Sequence, residues 1–251
     1  MPFHLKGKPG DIARYVFCPG SQARARRIVE HFEQCATVSD ERGIVVYSGT
    51  YQGVFMTACG TGMGGAATAI ATEELGQLGA DTFIRVGSCG VLQPGQQPGD
   101  VIIASGTYRA GGTGQGYLPL AFPALPTFEV LRELVRAAEA LNYPVRVGVG
   151  YAGDSFYGTY KADLVDTVRD AGGVFIEMES DTLFIVGAVR GWRTGALFTS
   201  DGAPGLPKPD WAWPAYSAGE ERMIQIALRA MHALAVRDAQ PVSQSELTSP
   251  Q

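Results

Sequence analysis

The sequence predicts a single α/β domain, with a mixed central β-sheet flanked by helices. Three observations carry this expectation. Short runs rich in Val, Ile, Phe and Tyr alternate along the chain with stretches of helical periodicity. Glycine, at 33 residues, clusters at the ends of the apolar runs, as tight strand-to-helix turns require. The length of 251 residues, 45% hydrophobic and 18% charged, suffices for one large core, and no repeat or linker divides it.

Taken in order, strands are expected at residues 13–18, 43–51, 54–59, 82–87, 100–109, 145–151, 174–177 and 194–200, each ending near Gly, Ser or Asp. Helices are expected between them at 23–32, 66–78, 128–141, 160–170, 181–189 and 219–236. The clearest is the third, where Phe128, Leu131, Leu134, Val135, Ala138 and Leu141 form one apolar face. Residues 110–126 and 202–214 are Gly/Pro-rich and read as long loops of the kind that often serve as lids. The domain is expected to span 1–239, with the polar tail 240–251 disordered.

Composition excludes several classes of function. The net charge is −5 and no Lys/Arg stripe stands out, so a nucleic-acid partner is not expected; the cluster Arg24-Ala25-Arg26-Arg27 is too short to change this. Cys18, Cys35, Cys59 and Cys89 have neither metal-type nor secreted-scaffold spacing and read as free thiols in a reducing cytoplasm. The start Met1-Pro2-Phe3-His4-Leu5-Lys6 lacks a signal-peptide core, and no apolar run reaches membrane-spanning length. A cytoplasmic protein with no membrane partner, metal or organic cofactor is expected.

One arginine stands inside an apolar run, in Phe83-Ile84-Arg85-Val86-Gly87-Ser88-Cys89-Gly90. A buried guanidinium without a partner costs several kcal/mol or more, so either a protein carboxylate or an anionic ligand belongs beside Arg85. The run is expected to break after Gly87 into a turn of small residues that lets a ligand approach the backbone.

Four further segments sit where strands end, the usual place for sites in open α/β sheets. Pro19-Gly20-Ser21-Gln22-Ala23-Arg24 offers backbone N–H groups at a helix start, with Arg24 one turn on. Gly60-Thr61-Gly62-Met63-Gly64-Gly65-Ala66 suits close approach of a small ligand better than a dinucleotide. In Glu177-Met178-Glu179-Ser180 two acids flank a methionine, and carboxylates accept well from the vicinal hydroxyls of a sugar; acids placed for the helix dipole would explain Glu179 but not Glu177. In Thr199-Ser200-Asp201-Gly202 the aspartate could act as a general acid, or serve only as an N-cap or Asx-turn.

Together with His4, Arg42 and Asp154-Ser155-Phe156-Tyr157, these segments resemble the purine nucleoside phosphorylase/uridine phosphorylase family in its hexameric bacterial branch, from His4 to about Ala235. The order and spacing of the motifs, not any one of them, carry the resemblance. It implies the phosphorylase/hydrolase-like fold and reversible phosphorolysis of a nucleoside, giving free base and (deoxy)ribose-1-phosphate, with orthophosphate as co-substrate. Gly20, Arg24, Arg85 and Ser88 match the phosphate cradle, and Arg42 matches an arginine lent by a neighbouring subunit. Met63, Met178 and Glu179 match the ribose site, with Glu179 on the 2′- and 3′-hydroxyls. His4 matches a histidine that reaches a neighbour's 5′-hydroxyl. Cys89, Gly90, Phe156, Tyr157, Ser200 and Asp201 fall in the base site, with Asp201 protonating a purine leaving group. The resemblance also implies a homo-oligomer, a hexamer formed as a trimer of dimers with shared sites.

Phe156-Tyr157-Gly158-Thr159-Tyr160-Lys161 lacks the Gln and Arg with which uridine phosphorylases read uracil, which with Asp201 favours a purine. The supporting arginine of the bacterial purine enzymes has no clear counterpart, Arg222 being the nearest candidate. Uridine phosphorolysis is the alternative. Behind it stand a hydrolytic nucleosidase of the same fold, against which Arg24, Arg42 and Arg85 argue, and a nucleoside-binding protein without turnover.

Overall fold

The computed structural model describes residues 2–158, 162–204 and 212–240. Nine strands and six helices alternate along them: β1 (Tyr15–Cys18), α1 (Gln22–Val29), β2 (Gln34–Glu41), β3 (Ile44–Tyr51), β4 (Val54–Gly60), α2 (Gly65–Gln77), β5 (Thr82–Val91), β6 (Val101–Arg109), α3 (Phe128–Ala140), β7 (Val145–Ala152), α4 (Ala162–Asp170), β8 (Phe175–Glu177), α5 (Ser180–Arg190), β9 (Arg193–Ser200) and α6 (Ala212–Asp238). The mixed α/β architecture is as the sequence predicts. One 3₁₀ turn, Thr113–Gly116, lies within the long loop after β6.

All strands join one mixed sheet in the order β2-β3-β4-β1-β5-β8-β7-β6-β9, and β9 pairs again with β5. The second half of the sheet therefore closes on itself as a five-stranded ring, while β2, β3, β4 and β1 extend from it as an open wing. Strand β5 belongs to both. On one edge it runs parallel to β9 from Thr82 to Cys89. On the other it pairs with β1 only from Thr82 to Arg85, and with β8 only at Gly90 and Val91. Between Arg85 and Gly90 that edge has no strand beside it. Such a switch point opens a crevice at the ends of strands.

Apolar faces cover both sides of the sheet. On one side α3, α6 and α1 bury Leu134, Ile224, Met231 and Ile28 against Phe17, Ile84 and Leu197. On the other, α2 and α5 bury Leu75 and Leu183 against Val16 and Phe83. Helix α5 is buried from Ser180 to Gly187, and it stops at Gly191 in the left-handed conformation.

Four elements differ from expectation. Strand β5 does not break after Gly87 but continues to Val91, so Ser88, Cys89 and Gly90 sit on a strand whose pairing changes partner. Strand β2 was not expected: it is exposed over most of its length and carries no buried alternation. Main-chain pairing with β3 holds it, through the two-residue turn Arg42-Gly43 with φ of 52° and 79°. Helix α6 begins at Ala212, well before the expected residue 219, while α1 ends at Val29. The cysteines are free as expected, with Cys18, Cys59 and Cys89 buried and Cys35 exposed. Among the described residues no helix is long and apolar enough to cross a membrane. The expected tail beyond Gln240, and the residues at 159–161 and 205–211, lie outside the described parts.

Candidate active site

The crevice beside β5 gathers most of the sequence-predicted residues. Alternation along β5 puts Arg85 and Ser88 on opposite faces of the strand, so they can meet around one ligand only at the open edge. Arg85 is 4% exposed. Its Nε donates to Glu177 Oε2 at 2.8 Å, its Nη2 pairs with Glu179, and its guanidinium lies 5.6 Å from the centroid of the Phe198 ring. Gly87 is required here, since a Cβ would stand 2.9 Å from Arg85 Nη2 and 2.9 Å from the Phe198 ring. Burial works to lower the Arg85 pKa, but Glu179 and Glu177 outweigh it and hold the group above its usual value. The protein thus supplies the carboxylates that the sequence left as one of two options. Nη1 is turned toward the Pro19–Gly20 turn, 3.9 Å from where a Gly20 Cβ would stand.

Glu177 has a second task that the sequence reading missed. Its carboxylate accepts from the backbone N–H of Glu179 and of Ser180, both at 2.9 Å, and from Ser180 Oγ at 2.6 Å. It caps α5 and pairs Arg85 at once, so the dipole explanation rejected for Glu177 holds after all. Glu179, 4% exposed, accepts from Gly64 N at 2.5 Å, which brings the 60–66 loop onto it. Burial raises its pKa against the opposing pull of Arg85. Met178 is partly buried beside it, and Met63, next to Gly64, is 85% exposed.

Arg24 approaches from the other face with four of its five N–H groups engaged. Nε donates to Glu220 Oε1 at 2.5 Å, Nη1 to the unpaired Val86 carbonyl at 3.2 Å, and Nη2 to Ser88 Oγ at 2.8 Å and Tyr216 Oη at 2.6 Å. Tyr216 and Glu220 are one turn apart on α6 and present one face. Neither was singled out, because the expected helix began after Tyr216; periodicity carried back to Ala212 would have joined them. Arg222, weighed as a support for Asp201, donates instead to the Gly99 carbonyl at 3.0 Å.

Asp201 closes the far end of the crevice. Its N–H donates to the Cys89 carbonyl at 3.0 Å, and the Gly202 carbonyl accepts from Val91 N at 3.0 Å, so β9 delivers Ser200 and Asp201 beside Cys89 and Gly90. Burial, and next the Asp201 charge, push the Cys89 thiol well above its usual pKa. Phe156 and Tyr157 stack edge to face at 5.0 Å and are 73% and 93% exposed, so they are not part of the core.

His4 and Arg42 lie outside this crevice. The chain start is pinned: Glu74 accepts from the N–H groups of Phe3, His4 and Leu5 and contacts His4 Nδ1 at 2.6 Å. Burial would raise the Glu74 pKa, but these hydrogen bonds bring it below its usual value. Arg42 stands exposed at the tip of the β2–β3 turn, with no hydrogen bond or ion pair to a described residue. No cluster of metal-ligating side chains occurs among the described residues.

The phosphorylase superfamily is matched over residues 14–235. The chain belongs to this family. Uridine phosphorylase of Thermococcus kodakarensis is 38% identical over 209 residues, covering 78% of this chain and 76% of the relative. Guanosine phosphorylase of Halorubrum lacusprofundi is 35% identical over 237 residues, covering 92% of this chain and 98% of the relative. The crystal structure of uridine phosphorylase from Vibrio fischeri superposes with a TM-score of 0.84 at 30% identity, over 90% of this chain and 95% of that one. The sheet with its closed half is therefore the family's sheet, and nucleoside phosphorylase is the activity that the match and these relatives support.

Proposed function

We propose that this nucleoside phosphorylase cleaves purine ribo- or deoxyribonucleosides with orthophosphate, releasing the base and (deoxy)ribose-1-phosphate. The observation that carries the reading is the convergence of two arginines from opposite faces of β5 on one unpaired stretch of strand edge, with Glu179 beside it and Asp201 at its end.

The chemistry follows from that order of groups. The C1′–N bond stretches toward an oxocarbenium-like sugar, as in other glycosyl transfers. Arg24, Arg85, Ser88 and the Gly20 backbone hold phosphate against the forming cation, their planar guanidinium groups suiting bidentate contact. Holding both reactants in place removes a large entropic part of the barrier. Glu179 takes the 2′- and 3′-hydroxyls, with Met63 and Met178 against the ribose. Phe156 and Tyr157 stack near the base, with Cys89, Gly90 and Ser200 around it. Asp201 donates a proton or strong hydrogen bond to the departing purine N7, an effect worth about 10²–10⁴-fold. His4 and Arg42 serve a neighbouring subunit, so the minimum active unit is a two-fold dimer, extended to a trimer of dimers. No organic cofactor or metal takes part in this scheme.

A second reading, uridine phosphorolysis, is favoured by the relatives named uridine phosphorylase. Against it stands the segment after Tyr157, which has neither the Gln nor the Arg expected for uracil. One assay separates the readings: base release from inosine, guanosine, adenosine and uridine, with and without phosphate. Phosphate-dependent release from the purine nucleosides is expected. Release that ignores phosphate overturns the phosphorylase reading, and faster cleavage of uridine overturns the purine preference. Specific activity that falls together with mass on dilution is the expected sign of shared sites.

A further inference from the structure

Three hydrogen-bonding groups meet at the crevice in a closed triangle: Arg24 Nη2 to Ser88 Oγ at 2.8 Å, Arg24 Nη2 to Tyr216 Oη at 2.6 Å, and Ser88 Oγ to Tyr216 Oη at 2.9 Å. Counting protons fixes what the triangle can do. The two hydrogens of Nη2 go one to each hydroxyl, so both oxygens accept from the guanidinium. The contact between the hydroxyls uses one of their two protons. One hydroxyl proton is left to point out of the triangle. A phenol is a stronger acid than an aliphatic alcohol and, polarised by Arg24, the better donor. The arrangement that follows is Tyr216 donating to Ser88, with the Ser88 proton free.

We infer that Tyr216 is a positioning residue for phosphate: held by Arg24, its hydroxyl donates to Ser88 Oγ and thereby turns the Ser88 proton toward the anion in the crevice. The inference rests on the proposed phosphate role of Arg24 and Ser88. It assigns a task to a residue on α6 whose hydroxyl contacts Arg24 and Ser88. The geometry supports it in three ways. Ser88 lies on the stretch of β5 between its pairings with β1 and β8, so its side chain borders the crevice. Arg24 is kept from swinging away by Glu220, one turn beyond Tyr216 on the same helix. The Tyr216 ring is braced edge to face by Trp213, with centroids 5.7 Å apart.

The test compares Tyr216→Phe, Ser88→Ala and the double variant in steady-state kinetics, with inorganic phosphate and the nucleoside varied in turn. Tyr216→Phe keeps the ring and its packing and loses only the hydroxyl. It is expected to raise the phosphate KM about five- to tenfold, the loss of about one oriented hydrogen bond. The nucleoside KM and the melting temperature should stay close to wild type. Because Tyr216 acts through Ser88, the double variant should be no worse than Ser88→Ala alone. A raised phosphate KM in Ser88→Ala with none in Tyr216→Phe overturns the inference and leaves the phosphate site standing. Additive losses in the double variant also overturn it, since Tyr216 would then donate to the anion itself. Parallel loss of both KM values and of thermal stability in Tyr216→Phe overturns it in favour of a structural role. If Ser88→Ala also leaves the phosphate KM unchanged, the phosphate-site reading fails and the inference with it.

Discussion

The two sides of the crevice are built in opposite ways. On the wall formed by β5, β8 and the starts of α1 and α5, Arg24, Arg85, Glu177 and Glu179 are all at least nine-tenths buried and every carboxylate has a partner. On the rim, Met63, Phe156 and Tyr157 are exposed. The wall is complete within one chain, because a buried charge without a partner is too costly to leave for a ligand to satisfy. The rim carries apolar side chains that gain contacts only when a nucleoside or a second copy covers them. Changes in the wall should therefore alter stability together with activity, while changes in the rim should alter activity alone.

Glu177→Ala puts this contrast to its hardest test. It leaves Arg85 with one carboxylate and α5 without its cap, and a loss of about 3–5 kcal/mol is expected. Denaturant unfolding measures it; a variant as stable as wild type would show that the wall is not held by this carboxylate. Asp201→Asn lies where wall meets rim. It should lower inosine turnover by about 10²–10⁴-fold while leaving unfolding unchanged. Normal turnover would remove Asp201 from the chemistry.

Asp181 tests the wall by pH. It is 1% exposed, and Oδ2 has no hydrogen-bond partner. Burial, with the Glu177 charge, raises its pKa from 3.8 to about 7. The folded state thus holds a proton that the unfolded state releases near pH 4. Stability from this group falls as pH rises from about 4 to about 7 and stays low above that. Asp181→Asn should melt above wild type at pH 8 by up to about 4 kcal/mol, with the gap closing near pH 4. A gap independent of pH would show that Asp181 does not titrate in this window. The smallest effect belongs to the rim. Phe156→Ala should raise the nucleoside KM by about fivefold, the worth of one aromatic contact, with an unchanged melting temperature. A drop in melting temperature would mean that the ring is packed in the assembled protein.

Much of this layout is legible in residue order. Eleven of the fifteen strands and helices fall close to where periodicity puts them, because burial on both faces of a sheet imposes strong apolar runs. Strand β2 was invisible for the complementary reason: residues such as Gln34, Thr37 and Asp40 lie on an edge held by main-chain pairing, which leaves no hydrophobic signature. The start of α6 was obscured by the Gly/Pro-rich stretch before it. That hid Tyr216 and with it the triangle around Arg24. The motifs at strand ends were readable individually, since Gly20, Arg85, Glu179 and Asp201 each stand out against apolar neighbours.

By itself the sequence determined the α/β class, the family resemblance and the need of Arg85 for an anionic partner, all of which follow from local pattern and the cost of a bare buried charge. Only the tertiary structure decided which partner it has. Glu177 and Glu179 reach Arg85 because β8 takes over the edge of β5 just beyond the end of β1. That handover also leaves Val86 to Ser88 open to Arg24 and Tyr216. Pairings such as Cys18 with Arg85 and Gly90 with Ile176 join strands far apart in the chain; they are set by how the whole sheet closes, and no local pattern records them.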